Sequence, residues 1–80
     1  KVLALHGWND PMAPPSSVEA FGKEMNAAGA DWQLHAYGGV YHAFTNPKAN
    51  DPDGLGVLYN ADADRRSWQT MKNFLEEVLA

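Results

Sequence analysis

The amino-acid sequence predicts an α/β fold in which two parallel strands are joined by a helix. Residues 1–6 and 32–37 have strand character, and residues 16–28 between them have the apolar periodicity of a helix. A loop over residues 38–60 and a second helical pattern over residues 62–79 complete the chain. Because a strand, a helix and a second strand in this order form a right-handed parallel crossover, we expect one β-α-β unit followed by a loop and a closing helix.

The first strand is predicted from the continuous apolar run KVLALH, which Gly7 ends. An unbroken run of this kind is typical of a strand that is buried on both faces of a parallel sheet. The run begins at Lys1 without a turn or cap before it, so we expect further sequence upstream. The segment GWNDPMAPP that follows is predicted to be a loop, since Asn-Asp-Pro and Pro-Pro both break regular structure.

The first helix is predicted to begin at Ser16, because Ser16 and Glu19 have the spacing of a capping box. In such a box each side chain accepts a hydrogen bond from the other residue's free backbone N–H. Gly29 is expected to end the helix in a left-handed conformation. The apolar positions of this segment repeat at helical spacing: Val18, Phe21, Met25 and Ala28.

The second half of the chain is predicted to contain a strand, a long loop and a helix. The segment WQLHAY, residues 32–37, alternates and carries two aromatic residues, which indicates a strand. Residues 38–60 contain Gly-Gly, Asn-Pro and Asp-Pro-Asp-Gly, and a loop of this length is usually functional or mobile. The last helix is expected to begin near Asp62 or Asp64 and to end at about Leu79. Its apolar stripe consists of Trp68, Met71, Leu75 and Val78, with Phe74 and Leu79 beside it.

The composition describes a globular chain of one domain at most. The chain has 80 residues, of which 45% are hydrophobic and 20% are charged, and it has no cysteine. Its net charge of -4 and its lack of a basic run argue against nucleic acid and anionic membranes as partners, because both are bound first through clustered positive charge. No apolar stretch reaches the roughly 20 residues of a membrane span, and no signal peptide is expected. The cytoplasm and a bacterial periplasm are both compatible with this composition.

The two predicted strands leave two open sheet edges, and a chain of this length has a thin core. We therefore expect the strands to pair with further strands, either from upstream sequence or from another copy of the chain. The expected protein partner is accordingly a second copy of the chain, in a homo-oligomer formed through the open edges, or the upstream part of the same protein.

Asp10 and His42 are the candidates for reactive groups. Asp10 comes just after the first predicted strand, and His42 comes just after the second. Because reactive groups of parallel sheets lie at the carboxyl ends of the strands, we expect these side chains at the same edge. A carboxylate on one imidazole nitrogen fixes the tautomer in which the other nitrogen acts as a general base. Two alternatives stay open: an Asx turn for Asp10 and a hydrogen-bonded loop residue for His42.

No nucleophile for this pair is found in the chain. The sequence has no Gly-X-Ser-X-Gly or Gly-X-Cys-X-Gly elbow and no cysteine. Ser16 and Ser17 follow a Pro-Pro pair, where helix capping explains them, and Ser67 inside the last helix is as readily explained by simple exposure. In α/β-hydrolases the chain order is nucleophile, acid and histidine, so we expect the nucleophile upstream of Lys1.

Three segments resemble the dienelactone hydrolase family of the α/β-hydrolase superfamily: HGWNDPMAPPSSVEAF, YGGVYHAFTNP and YNADADRRSWQTMKNFL. The resemblance is to the C-terminal third of that family, a β-α-β-loop-α portion of its fold, and covers nearly the whole chain. In the family the acid follows His-Gly and two more residues, as Asp10 does, and the histidine follows a Tyr-Gly-Gly turn before Ala-Phe, as His42 does. The resemblance therefore implies hydrolysis of a small-molecule ester or lactone through an acyl-enzyme, with an upstream Cys or Ser nucleophile and no cofactor.

Two other interpretations stay open. A prolyl-oligopeptidase-like serine peptidase also carries the acid, the histidine and a closing helix in its C-terminal third, although the FTNP and ADRRSW segments favour the dienelactone hydrolase group. A non-catalytic, self-associating α/β module is the second. Because a base without a nucleophile gives only weak help to water, the 80-residue chain alone is expected to be inactive.

Other aromatic and histidine residues near the pair have two explanations each. Trp8 and Phe44 flank the candidates and could line an apolar pocket for the acyl group, or could equally cover the end of the sheet. His6 and His35 are expected to pack or to form hydrogen bonds. No metal site is expected, because no paired spacing of the His-X-X-X-His kind is present to hold an ion.

Overall fold

The computed structural model describes residues 1–80 and has the predicted α/β architecture. Strands β1 (Val2–Gly7) and β2 (Trp32–Tyr37) form a two-stranded parallel sheet, and helix α1 (Pro15–Ala27) connects them. Helix α2 (Ala61–Leu79) follows the long loop. The predicted order of elements is confirmed, and every boundary lies within one residue of its predicted position.

The two strands pair along their whole length, from Val2 opposite Trp32 to Gly7 opposite Tyr37. Their carboxyl ends therefore stop at the same level, and the loops that leave them are neighbours. Every residue of β1 except Gly7 is only half-buried, so the prediction of a strand buried on both faces is wrong within this chain. Two strands and two helices supply too few side chains to cover both faces of the sheet.

Helix α1 begins one residue earlier than predicted and has a different N-terminus. Pro14 occupies the cap position and no side chain caps the helix, so the predicted capping box of Ser16 and Glu19 is wrong. Pro15 takes the first helical position, where its missing N–H costs nothing and its ring already has a helical φ. The carbonyl of Pro14 accepts a hydrogen bond from the N–H of Ser17 at 2.8 Å, so Ser16 lies inside the first turn rather than before it.

The C-terminus of α1 has the predicted glycine stop. Gly29 has a φ of +66°, and its N–H donates a hydrogen bond to the carbonyl of Asn26 at 3.1 Å. The next residue, Ala30, donates to the carbonyl of Met25 at 3.1 Å, so two of the helix's last carbonyl groups are satisfied. The left-handed turn at Gly29 directs the chain into β2.

Helix α2 begins at Ala61 because Asn60 caps it. The side-chain oxygen of Asn60 accepts a hydrogen bond from the N–H of Ala63 at 2.9 Å, which satisfies one of the free donors of the first turn. Asp62 and Asp64 lie in that turn, where their negative charge interacts favourably with the positive end of the helix dipole. Neither helix of the structure is long and apolar enough to cross a membrane.

The buried face of α2 is small and does not include its apolar stripe. Ala63 and Ser67 are its only buried residues, whereas Trp68 of the predicted stripe is 58% exposed. Ser67 is 3% exposed, so simple exposure does not explain it, and its Oγ donates a hydrogen bond to the carbonyl of Asp64 at 3.0 Å. Small side chains let the start of the helix pack closely on the rest of the chain. Of the larger apolar side chains, Trp68 and Leu75 are exposed, and Met71, Phe74 and Val78 are half-buried.

The core lies at the carboxyl ends of the strands rather than under the helices. Its members are Val40, Phe44 and Ala63, and Tyr37 at the end of β2 packs against them. The rings of Tyr37 and Phe44 have centroids 5.9 Å apart in a tilted arrangement. The long loop therefore supplies two of the three core side chains, and the best-packed part of the molecule is also the part from which the candidate residues project.

Candidate active site

Asp10 lies in a tight turn that is hydrogen-bonded to the end of β2 and to the segment after it. The N–H of Trp8 donates to the carbonyl of Tyr37, and the N–H of Asn9 donates to the carbonyl of Val40, both at 2.9 Å. Asp10 itself closes the turn by donating its N–H to the carbonyl of Gly7 at 3.0 Å. These bonds continue the pairing of the strands past their ends and hold the carboxylate beside the segment that follows β2.

His42 is held through its backbone on both sides. Its N–H donates to the carbonyl of Gly56 at 3.0 Å, and its own carbonyl accepts a hydrogen bond from the N–H of Leu58 at 3.1 Å. The bridge to Val57 is a single parallel ladder step outside the main sheet. The histidine is therefore presented from a short strand-like contact, although it belongs to a loop by sequence.

The structure brings the two predicted site residues into direct contact. Nδ1 of His42 lies 2.9 Å from Oδ2 of Asp10, a hydrogen-bond distance between side chains that are 32 positions apart in the sequence. The Asp10 side chain is 12% exposed, while that of His42 is 43% exposed. A carboxylate on Nδ1 leaves Nε2 as the nitrogen that can take a proton from a third group, which is the geometry of a general base.

The second carboxylate oxygen of Asp10 is also used. Oδ1 accepts a hydrogen bond from the N–H of Met12 at 2.8 Å, which is the Asx turn that the sequence allowed as an alternative. The two interpretations of Asp10 are thus compatible, because one oxygen stabilises the turn and the other faces the histidine. This division fixes the orientation of the carboxyl plane.

The environment of Asp10 favours its ionised form. Partial burial alone would raise the pKa of this carboxyl. The hydrogen bonds from His42 and from the N–H of Met12, together with the positive charge that His42 and His6 can carry, outweigh burial and hold the pKa of Asp10 below its ordinary value of 3.8. The carboxylate is therefore charged at any pH at which a histidine could serve as a base.

Two glycines make the close approach of the acid and base segments possible. A Cβ on Gly7 would lie 2.7 Å from the backbone oxygens of both Val40 and Tyr41. A Cβ on Gly56 would lie 2.6 Å from Cγ of Pro11, and Gly56 also has a φ of +82° that favours glycine. Each glycine therefore allows a contact that any side chain would block.

The flanking aromatic residues have different positions. Phe44 is 8% exposed and belongs to the core cluster, in the sheet-covering position that the sequence allowed for it. Trp8 is 45% exposed, packs edge to face with His6 at a centroid distance of 6.4 Å, and borders a shallow depression beside Asn9 and Asp10. Trp8 is thus the aromatic residue of the two that remains accessible to a substrate.

The remaining histidines and serines form no hydrogen bond with the pair. Nε2 of His6 is buried without a hydrogen-bond partner, while Nε2 of His35 lies 3.3 Å from the side-chain oxygen of Gln33. The chain's buried serine, Ser67, uses its hydroxyl within α2. No three side chains of the His, Asp and Glu types converge as metal ligands would.

The residues that hold the pair in place were harder to predict. Asn9 accepts a hydrogen bond on its side-chain oxygen from the N–H of Gly39 at 3.0 Å, and so links the acid's turn to the Gly38-Gly39 turn. Asp51 binds two N–H groups of the loop that carries Gly56. The sequence signal for Asp51 is the Asp-Pro-Asp-Gly segment, which predicts a turn but does not show that the turn contacts His42.

Comparison with known proteins gives the same assignment for the whole chain. The model of the dienelactone hydrolase family matches residues 1–79. An uncharacterized protein of Caenorhabditis elegans is 36% identical over 75 residues, which are 94% of this chain and 48% of that protein. The chain thus spans about half the length of this curated relative.

Two solved structures have the same fold over nearly all of the chain. One is a dienelactone hydrolase-like promiscuous phosphotriesterase from metagenomic libraries, with a TM-score of 0.86 and 35% identity over 94% of this chain and 31% of that one. The other, designated m3DLH, has a TM-score of 0.86 and 37% identity over 98% of this chain and 32% of that one. With the family model matching almost every residue, the chain belongs to the dienelactone hydrolase family.

Proposed function

We propose that the chain supplies the acid and the base of an enzyme that hydrolyses small-molecule esters or lactones. The observation that carries this proposal is the 2.9 Å contact between Nδ1 of His42 and Oδ2 of Asp10 at the carboxyl ends of two parallel strands. Membership of the dienelactone hydrolase family supports a hydrolase. The ester or lactone class is the part that we propose.

In the proposed reaction a Cys or Ser side chain from upstream of Lys1 is the nucleophile. Nε2 of His42 takes the proton of that thiol or hydroxyl as it attacks the carbonyl carbon, and returns it to the leaving alcohol when the acyl-enzyme forms. Water then attacks the acyl-enzyme with the same nitrogen as base; the bond between the acyl group and the nucleophile breaks, the carboxylic acid leaves, and the proton taken from water returns to the thiol or hydroxyl. Asp10 stays ionised throughout, fixes the tautomer of His42 and stabilises the imidazolium.

A phosphotriester is a second candidate substrate. The specific observation is the 35% identity to a dienelactone hydrolase-like phosphotriesterase of the same fold. An acid and base pair of this geometry can activate a nucleophile toward phosphorus as well as toward a carbonyl carbon. The flat carbonyl and the tetrahedral phosphorus differ in the shape that the pocket must accept, so the two activities can be measured separately.

The test uses the longest gene product that contains this chain, with p-nitrophenyl acetate and diethyl p-nitrophenyl phosphate as substrates. We expect ester turnover, and we expect His42→Ala to lower kcat by roughly four orders of magnitude or more, as removal of a triad base does. His35→Ala is the matched control, because His35 lies on β2 away from the pair and its loss should leave kcat unchanged.

Three outcomes would decide between the alternatives. Turnover of the phosphate ester alone would replace the carboxylic ester class by the phosphotriester class. Equal kcat values for His42→Ala and His35→Ala would contradict the proposed role of the pair, and a complete lack of hydrolysis would favour the non-catalytic module. The 80-residue chain alone should show no turnover above buffer, because it contains no nucleophile beside His42.

We also propose that the open edges of the sheet and the exposed stripe of α2 are covered by further strands and helices, from an upstream part of the same protein or from a second copy. The sheet has two strands and two free edges, and α1 has no buried residue. A two-stranded sheet is at best marginally stable by itself in water. The matched segments of the two solved relatives make up 31% and 32% of those chains, which favours the upstream part as the partner.

A further inference from the structure

The loop over residues 51–58, which we call the Asp51 loop, lies against His42 and against Pro11, the residue next to Asp10. On the base side, Gly56 and Leu58 hold the N–H and the carbonyl of His42 at 3.0 and 3.1 Å. On the acid side, Gly56 lies so close to Pro11, the residue after Asp10, that a Cβ would approach its Cγ to 2.6 Å. A change in the path of this loop would therefore move the two partners relative to each other.

The path of the loop is set by one carboxylate. Oδ1 of Asp51 accepts hydrogen bonds from the N–H groups of Gly56 at 3.0 Å and of Val57 at 3.1 Å. The backbone carbonyl of the same residue accepts a third bond, from the N–H of Gly54 at 3.1 Å. Gly56 also accepts a hydrogen bond from the N–H of His42, and Val57 is the bridge partner of His42. The carboxylate thus binds the loop at the point where the loop binds the histidine.

The backbone of Asp51 has a conformation that a side chain normally avoids. Its φ is +51°, and the only other non-glycine residue with a positive φ is Ala43, which adjoins His42. Residues with a Cβ are disfavoured in this left-handed region unless other contacts stabilise them, although Asp and Asn tolerate it better than most. The hydrogen bonds from Gly56 and Val57 supply that stabilisation, so they offset the strain of the positive φ at Asp51.

We propose that Asp51 is a positioning residue for the acid and base pair. It acts through Gly56 and the backbone of His42 and does not touch the reacting atoms. Without its carboxylate, the N–H groups of Gly56, which is buried, and of Val57, which is half-buried, lose their acceptor, and the loop moves to find others. His42 then loses its backbone anchor, and Nδ1 no longer stays at 2.9 Å from Asp10. The proposal rests on the proposed function for its effect on rate, but not for its effect on geometry.

The experiment compares three variants of the longest gene product that contains this chain. Asp51→Gly removes the carboxylate while favouring the positive φ, so it isolates the hydrogen bonds from the strain. Asp51→Asn keeps an oxygen in the same place and tolerates the same φ. Asp53→Gly is the matched control, because Asp53 is an exposed acid of the same turn. Two readouts are taken: the downfield NMR signal of the proton between His42 and Asp10, and kcat and KM with p-nitrophenyl acetate.

We expect Asp51→Gly to broaden or shift the downfield signal and to lower kcat by about 10- to 100-fold with KM nearly unchanged, the size of effect that a misplaced catalytic group produces. Asp51→Asn and Asp53→Gly should keep the signal and kcat near those of the parent protein. A folded Asp51→Gly variant with an unaltered signal would overturn the proposal. So would equal losses of signal in Asp51→Gly and Asp53→Gly.

The two readouts separate this proposal from the proposed function. If the protein hydrolyses none of the tested esters but the signal responds to Asp51→Gly and not to Asp53→Gly, the positioning role stands and the substrate class fails. If esters are hydrolysed and the signal and kcat ignore Asp51, the hydrolase stands and the positioning role fails. Should Asp51→Gly not fold, the Asp51→Asn variant decides, because it keeps the oxygen acceptor. Loss of kcat and of the downfield signal in Asp51→Asn would contradict the proposed role of that acceptor.

Discussion

The loops at the carboxyl ends of the strands and the outer faces of the two helices are built very differently. Gly7, Val40, Phe44, Ala49 and Gly56 are all buried, and all lie at or beyond the carboxyl ends of the strands. Helix α1 has no buried residue at all. Three large apolar side chains of α2 are exposed to solvent: Trp68, Leu75 and Leu79.

The difference shows which parts of the structure are stabilised by contacts within this chain and which are not. The acid and base pair is held by hydrogen bonds and close backbone contacts among residues of this chain alone. The helices present apolar surface for which this chain offers no partner, and apolar surface in water is what favours association. The acid and base pair is thus positioned by its own segment, whereas the two helices leave apolar surface that this chain does not cover.

The largest loss of stability is expected for a substitution at Gly7. If this loss were absent, the strand-end loops would not be more tightly packed than the helices. The Cβ of Gly7→Ala would meet two backbone oxygens at 2.7 Å, and backbone atoms cannot turn aside as the end of a side chain can. We expect the free energy of unfolding to fall by about 3 kcal/mol and the hydrogen bond between Asp10 and His42 to be lost. Urea unfolding followed by tryptophan fluorescence measures the first, and the downfield histidine proton signal measures the second.

Gly38→Ala is the control for this prediction. Gly38 lies just after β2, close in sequence to the same loops, but nothing lies within 4 Å of the position that its Cβ would take. Its substitution should change the free energy of unfolding by less than about 0.5 kcal/mol. If the two alanine variants unfold alike, the carboxyl ends of the strands are not tightly packed, and the contrast with the helices disappears.

A smaller effect is expected from the pH dependence of the pair. Because the native pKa of Asp10 is below 3.8, the folded state favours the carboxylate, and its contribution to stability is present above that pH. It is lost as the pH falls through the lower native pKa. We expect the parent protein to exceed Asp10→Asn in stability by at most about 1 kcal/mol at neutral pH, since His42 is partly exposed.

Thermal unfolding of both proteins between about pH 7 and pH 3 measures this dependence. The difference in stability should stay constant down to the ordinary pKa of an aspartate and then shrink. A difference that grows as the solution becomes more acidic would mean that burial, rather than the contact with His42, dominates at Asp10.

The smallest effect is expected on the exposed stripe of α2. Leu75 is 41% exposed, so Leu75→Gln should change the stability of the 80-residue chain by less than about 0.5 kcal/mol. In a longer gene product, or in an oligomer, the same substitution should weaken the packing that covers α2. Sedimentation and unfolding of the parent and variant proteins at several concentrations measure both. A large loss in a monomeric 80-residue chain would contradict the contrast between the two regions.

The fold and the pair could be predicted because each leaves a local pattern in the sequence. Strand and helix periodicity placed all four elements to within one residue, and the positions of Asp10 and His42 after the two strands predicted their contact. The capping box at Ser16 was wrong because two prolines upstream offered a competing start for the helix. The sequence contained two adjacent signals for a helix start, and it did not show which of them determines the first residue of the helix.

The contacts that tighten the site left no such pattern. The space around Gly7 and the bonds of Asp51 depend on where residues 33 or more positions away, or the far side of a loop, come to lie in three dimensions. The helix that carries the apolar stripe was predicted correctly. The burial of its side chains depends on a second surface, which the sequence of one helix does not contain. Periodicity shows which side chains share a face, not what that face meets.

The division of the Asp10 carboxylate between two donors has a consequence for its amide analogue. In Asp10→Asn, the N–H of Met12 still requires an oxygen at Oδ1, so the amide nitrogen must take the place of Oδ2. That NH₂ group is a donor, and Nδ1 of His42 would have to accept from it and give up its own proton. The ring would then carry its proton on Nε2, the nitrogen that we propose takes the proton of the nucleophile. The hydrogen bond from the N–H of Met12 thus decides which ring nitrogen of His42 is basic in this variant.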